Sequence, residues 1–288
     1  MTETVNTEGA TPYAGVPLKL QDVRFAITPA EAVAAAHSQR GRLLETVRDL
    51  TADEWSAQSR CSLWTVQDVV RHLTDIGGVQ ADGMEAARAG ERFSYFSTFD
   101  PKATPAALIA ESGPEEVGVT LDAFVRSTER LLGLVDEVAA AGDDTLLVST
   151  PAGRQPWHRS LLHGLFDSAV HERDIVEPLP ARSAPFVGPG EVRAIASYQV
   201  LLVARILGVV GAPVDLGLEL DGGPTLHVVV DGPVVSVQPL GDDAAPAARA
   251  KGEVSAVLDA MAGRGALADV LDGPPEVAMG LSALSSLV

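Results

Sequence analysis

Between Leu161 and Asp174, four side chains able to bind a cation or move a proton recur at helical spacing: His163, Asp167, His171 and Asp174. At about 100° per residue they fall on one narrow stripe, so two imidazoles and two carboxylates point the same way. Such a stripe is the wet face of an amphipathic helix, a set of metal ligands, or a buried hydrogen-bonded cluster. The flanks argue against the first. Val170 and Phe166 border the stripe on one side and Gly164 and Ile175 on the other, while Glu172 lies on the far side near Leu165. A polar seam bracketed by apolar groups belongs inside a helix bundle.

A second informative stretch runs from Cys61 through Trp64 to Ile76. Thr65 followed by Asp68 reads as a capping box that opens a helix continuing to about Arg88. On that helix His72 shares its face with Thr65, Val69, Ile76, Val79 and Gly83, which turns it inward. Asp68 and Asp75 border it, and either is placed to hold one imidazole nitrogen. A satisfied core histidine and a ligand are both consistent with this pattern.

Residues 1 to about 28 read as an arm without helical period. Thr28-Pro29-Ala30-Glu31 opens a helix to about Leu50, and Thr51 to Trp55 reads as the turn after it. Residues 90–113 carry Phe93, Tyr95, Phe96 and Phe99 and read as a partly irregular connection able to cover a pocket. Glu115 to about Ala141 is helical; the chain from 145 to 157 holds two prolines and Trp157, and the polar-seam helix then stops near Pro178. A linker follows at 179–185. Beyond it come an apolar helix from Pro189 to about Gly211, β-type runs at 216–220, 226–230 and 234–238, and helices from Glu253 to Ala262 and Glu276 to about Leu287. Asp231-Gly232 between the last two runs is a hairpin signal. The expectation is an α+β chain: an arm and four-helix bundle over 1–182, then a linker and small α+β domain over 183–288.

Thirty-nine acidic against twenty-one basic residues give a net charge of -18, which disfavours nucleic acid and anionic membrane surfaces as partners. A single cysteine, Cys61, excludes an internal disulfide and a cysteine-built zinc site, so a metal must be held by His, Asp or Glu. The first fifteen residues lack a basic start and an apolar core, and Val200 to Val214 is too short to span a membrane and is interrupted by Arg205. The expected location is the cytoplasm.

A bundle brings side chains of nonadjacent helices to its axis, so an inward His72 can meet Asp167 and His171. Two imidazoles and one carboxylate form a frequent set for catalytic zinc and other divalent ions, with positions left for water or substrate.

The run Cys61, Trp64, Thr65, Asp68, Val69-Val70, His72-Leu73, with Asp167-x-x-x-His171-x-x-Asp174 later, resembles the mycothiol-dependent maleylpyruvate isomerase family of the DinB-like (YfiT-like) helical bundles. The stretch from Gly252-Glu253-Val254 to Gly263-Arg264 is similar to that family's C-terminal α+β part. The resemblance implies a divalent metal, commonly zinc, on His72, Asp167 and His171, with Asp167 standing where the family's archetype has glutamate. It further implies a mycothiol-type thiol as cofactor and transferase or isomerase chemistry on a small electrophilic molecule. Arg264 would contact an anionic substrate or the thiol, Asp174 would orient a ligand, and His163 is a candidate extra ligand. A metal-dependent hydrolase and a non-catalytic binding bundle are the alternatives.

Overall fold

The computed structural model describes residues 22–91, 93, 103–150, 153–183 and 187–282. Tyr95, Phe96 and Phe99 of the aromatic connection, most of the N-terminal arm and the end of the last expected helix lie outside them.

In chain order the elements are β1 (Asp22–Phe25), α1 (Pro29–Arg48), α2 (Ala52–Ser56), α3 (Val66–Arg88), α4 (Ala103–Ser112), α5 (Val117–Ala141), β2 (Leu147–Thr150), β3 (Gly153–Pro156), α6 (Trp157–Val176) and α7 (Pro189–Val209). Then follow β4 (Val214–Asp221), β5 (Thr225–Asp231), β6 (Val234–Pro239), β7 (Ala248–Glu253), α8 (Val254–Met261), α9 (Leu267–Val270) and α10 (Pro275–Leu281).

Helices α1, α3, α5 and α6 form the expected bundle, and α3 and α6 begin where their sequences dictate. The Thr65 hydroxyl accepts from the Asp68 amide at 3.2 Å while Asp68 Oδ2 accepts from the Thr65 amide and hydroxyl, so the cap is reciprocal. Thr28 and Glu31 cap α1 in the same way, with Pro29 in its first turn. An apolar cluster of Leu43, Val47, Trp55, Val69, Leu73 and Ile175 packs the end of the bundle around the start of α3 and the end of α6. That packing fixes the register in which His72 faces α6.

The second half is a five-stranded mixed sheet in the order β1-β6-β5-β4-β7, covered by α7. The strands β4, β5 and β6 match the expected apolar runs and pair antiparallel. Two strands are additions. The arm supplies β1, which pairs parallel with β6, and β7 pairs parallel with β4 although its sequence, Ala-Arg-Ala-Lys-Gly-Glu, buries only Ala250. Helix α7 is buried between bundle and sheet, and one apolar core, including Trp157, Leu162, Tyr198, Leu201, Leu218 and Met261, runs through both halves.

Other departures are local. Thr51 to Trp55 is not a turn but opens the short helix α2, because Thr51 and Glu54 form another reciprocal cap. The stretch before α6 forms the hairpin β2–β3, and α4 lies within the expected irregular connection.

Replacing Thr65 by Ala is expected to cost about 1 kcal/mol in urea unfolding, whereas Thr65→Ser retains the cap and most of the stability. Equal stability of the two variants would contradict the role assigned to this cap.

Candidate metal centre

The three expected ligands converge. His72 Nε2 lies 3.6 Å from Asp167 Oδ2, and His171 Nε2 lies 3.8 Å from Asp167 Oδ1. The ligand atoms all fall within 4.8 Å of one another, and the imidazole planes are nearly perpendicular, with centroids 4.9 Å apart. These separations are too long for hydrogen bonds. They are close to the roughly 3.3–3.6 Å between atoms bound at about 2.0–2.2 Å to one tetrahedral cation. Asp167 Oδ2 is buried and accepts no hydrogen bond, a costly state for a carboxylate oxygen unless something else satisfies it. The donor set, two nitrogens and an oxygen, fits a divalent cation, and the aspartate reaches both imidazoles despite its short stem.

The other stripe residues have different surroundings. Asp174 is fully buried; it accepts from Arg264 Nη2 at 2.8 Å, His171 Nδ1 at 3.0 Å and the Cys61 thiol at 3.2 Å, and it forms an ion pair with Arg60, whose Nε is 3.1 Å away. An ionised carboxylate only accepts, so the His171 contact places a proton on Nδ1 and turns the Nε2 lone pair toward Asp167 and His72. The structure keeps His163 out of the ligand set. Its ring stacks edge-on against Tyr198 at 5.9 Å, and it reaches Asp167 only through charge. Asp68 is spent on its cap and on Arg71, and neither it nor Asp75 bonds His72.

Arg264 points into the site from the C-terminal half. It grips Asp174 with Nε and Nη2, donates from Nη1 to the Ala262 carbonyl and reaches Cys61 Sγ at 3.7 Å. Arg60 also ties the halves together, pairing with Asp174, Glu177 and Asp259. Two further participants stand in the Cys61–Leu73 motif, which by itself assigns them no role at the centre. Cys61 counted only as a lone thiol, yet its Sγ is 3.8 Å from His171 Nδ1. Trp64 lies against both imidazoles, with centroids 5.1 Å from His72 and 6.1 Å from His171. Their place just ahead of the α3 cap, eleven and eight positions before His72, is the clue that locates both.

The electrostatics follow from burial opposed by charge. Burial works to raise Asp167, but His72 and the nearby charges of His171 and His163 outweigh it and hold the carboxyl well below the usual carboxylate range. Asp174 is held low in the same way, burial being overcome by His171 and Arg264. Burial penalises the charged His171 ring, yet Asp174, Cys61 and Asp167 together push the metal-free imidazole up to about 10. A cation at this centre would have to displace a proton from His171 Nε2.

A helical bundle with two imidazoles and a carboxylate at its buried face, closed by an α+β half that lends an arginine, is the class this fold and site define. Residues 36–176 match the family model described as the mycothiol maleylpyruvate isomerase N-terminal domain, and this part of the chain belongs to that domain family. Two solved structures share the fold at 15% identity, each covering 86% of this chain and 94% of its own: the mycothiol-dependent maleylpyruvate isomerase, with a TM-score of 0.60, and a histidine-to-alanine mutant of the mycothiol-dependent maleylpyruvate isomerase, with a TM-score of 0.61. No curated protein matches the chain.

The raised His171 has a measurable sign. The metal-free folded protein binds more protons than the unfolded chain between the ordinary histidine value of 6.5 and about 10. The stabilisation is therefore complete below the lower value and lost as pH rises toward the upper one. Metal-free protein should unfold at lower urea at pH 9 than at pH 6, and His171→Gln should flatten that slope. A flat wild-type profile would contradict the doubly protonated ring.

Proposed function

We propose that the chain is a divalent-metal-dependent enzyme that uses a mycothiol-type thiol to isomerise a small electrophilic unsaturated acid of the maleylpyruvate kind. The observation that carries this reading is the buried, unsatisfied oxygen of Asp167 set between two imidazole nitrogens. The family of residues 36–176 supplies the thiol and substrate class.

In this reading His72, Asp167 and His171 hold the cation, zinc being the best match to two nitrogens and one oxygen. When bound, it supplies a Lewis acid that lowers the pKa of a thiol placed beside it, so thiolate is available at neutral pH. The residues of the chain do the rest. Asp174 keeps the His171 proton on Nδ1. Trp64 covers the two imidazoles and limits access of water. Arg264 has five N–H donors, of which Nε, Nη2 and one Nη1 proton are engaged by Asp174, Cys61 and Ala262, which leaves a donor for an anionic group of substrate or thiol. The thiolate forms a C–S bond at one end of the double bond and the π electrons move onto the conjugated carbonyl. Rotation about the resulting single bond and return of the electron pair then expel the same thiolate, so the thiol is regenerated.

Purified metal-replete protein should isomerise maleylpyruvate only when mycothiol is added. Activity should vanish in His72→Ala and fall about 10–100-fold in Asp174→Asn, which disturbs the orientation of His171 without removing a ligand. Turnover of an ester or amide without thiol would replace this reading with a hydrolase that activates water. Full activity in His72→Ala would remove the metal from the account.

A further inference from the structure

Arg264 stands just past the end of α8, outside any helix, yet its side chain has to meet Asp174 on α6. Two features of α8 decide where that side chain starts. The first is in the backbone. Gly263 has a φ of 78°, in the left-handed region; its amide donates to the Ala260 carbonyl at 3.1 Å, and the Arg264 amide donates to the Asp259 carbonyl at 2.8 Å. This pair of bonds is a Schellman turn, which favours glycine, and less often asparagine, at its left-handed position.

The second feature is a side chain that local rules disfavour. Asp259 lies in the last turn of α8, where the helix dipole opposes a carboxylate, and that turn holds no basic residue. The bundle supplies the cations instead: Arg173 Nη2 on α6 donates to Asp259 Oδ2 at 2.7 Å, and Arg60 Nη1 at 3.0 Å. Arg173 Nη1 also donates to the Ser255 carbonyl at 3.1 Å, and Gln199 Nε2 on α7 to the Leu258 carbonyl at 2.8 Å, so α8 is clasped from two helices. Asp259 joins the two features. Its carboxylate ties α8 to the bundle, and its carbonyl receives the amide of Arg264. We propose that Asp259 and Gly263 are positioning residues for Arg264: they fix the base of its side chain so that the guanidinium, gripped by Asp174, offers its spare donor to the anionic group of substrate or thiol. This rests on the reading of Arg264 given above.

Phenylglyoxal labelling followed by peptide mass mapping reads the placement of Arg264 without turnover. Asp259→Asn leaves Arg60 and Arg173 paired with Glu177, and Gly263→Val forces the turn out of the left-handed region. Both variants are expected to label at Arg264 about tenfold faster than wild type while Arg42 is unchanged, and Gly263→Asn should stay close to wild type. With maleylpyruvate and mycothiol, both should keep their metal and lose about tenfold in kcat/KM, mostly through KM. In an Arg264→Met background the same changes should cost less than about twofold, because they act through the side chain already removed. Unchanged labelling of Arg264, labelling of Arg264 and Arg42 that rises together, or a full further loss on top of Arg264→Met overturns the proposal. An Asp259→Asn protein that does not fold overturns the role of Asp259, and Gly263→Val then decides that of the turn. Absence of thiol-dependent turnover in wild type overturns the reading of the site and this role with it, an outcome the labelling keeps apart from failure of the α8 device itself.

Discussion

The fold turns on one carboxylate. Asp174 is completely buried, and a bare carboxylate in that position would be untenable. It survives because Arg60 brings its charge from the loop before α3, while Arg264 from beyond α8, His171 from its own helix and the Cys61 thiol donate hydrogen bonds to it. Satisfying Asp174 therefore forces the bundle and the α+β half together and sets the tautomer of His171 in the same step. Structural and chemical requirements meet in a single side chain.

On the opposite side of α6, Arg42 clamps Glu172 and Glu191 at 2.6–2.7 Å and so joins α1, α6 and α7. Both glutamates are nearly inaccessible, which makes this network intolerant of losing one partner. With Asp174 held on one side and Glu172 on the other, α6 has little freedom to rotate, and Asp167 and His171 are presented to α3 in a fixed register. The reciprocal Thr65–Asp68 cap and the apolar packing at the start of α3 do the same for His72. Preorganised ligands of this kind need little rearrangement to receive a cation.

Much of this was legible in the chain because it follows from local rules. The spacing of Asp167 and His171, the inward face of His72, the cap at Thr65 and the alternating strands β4 to β6 all depend on residues a few positions apart. What escaped depends on distance or on weak pattern. Strand β7 is polar and β1 is four residues long, so neither has an apolar alternation to announce it, and both exist because β4 and β6 offer edges to pair with. The Thr51–Glu54 cap is also local, but a helix of five residues has too little apolar period to distinguish it from a turn. Arg60 and Arg264 reach Asp174 across 114 and 90 positions of sequence, and no spacing rule reports such contacts.

The central claim is that one cation sits between His72, Asp167 and His171 on the Nε2 side of His171. X-ray absorption at the zinc edge, on protein loaded with one equivalent in thiol-free buffer, tests it most directly. The account predicts two imidazoles and a carboxylate oxygen at about 2.0–2.2 Å, with no sulfur. A sulfur scatterer at about 2.3 Å, which would place the cation with Cys61 on the Nδ1 side, or failure to bind one equivalent, would contradict it.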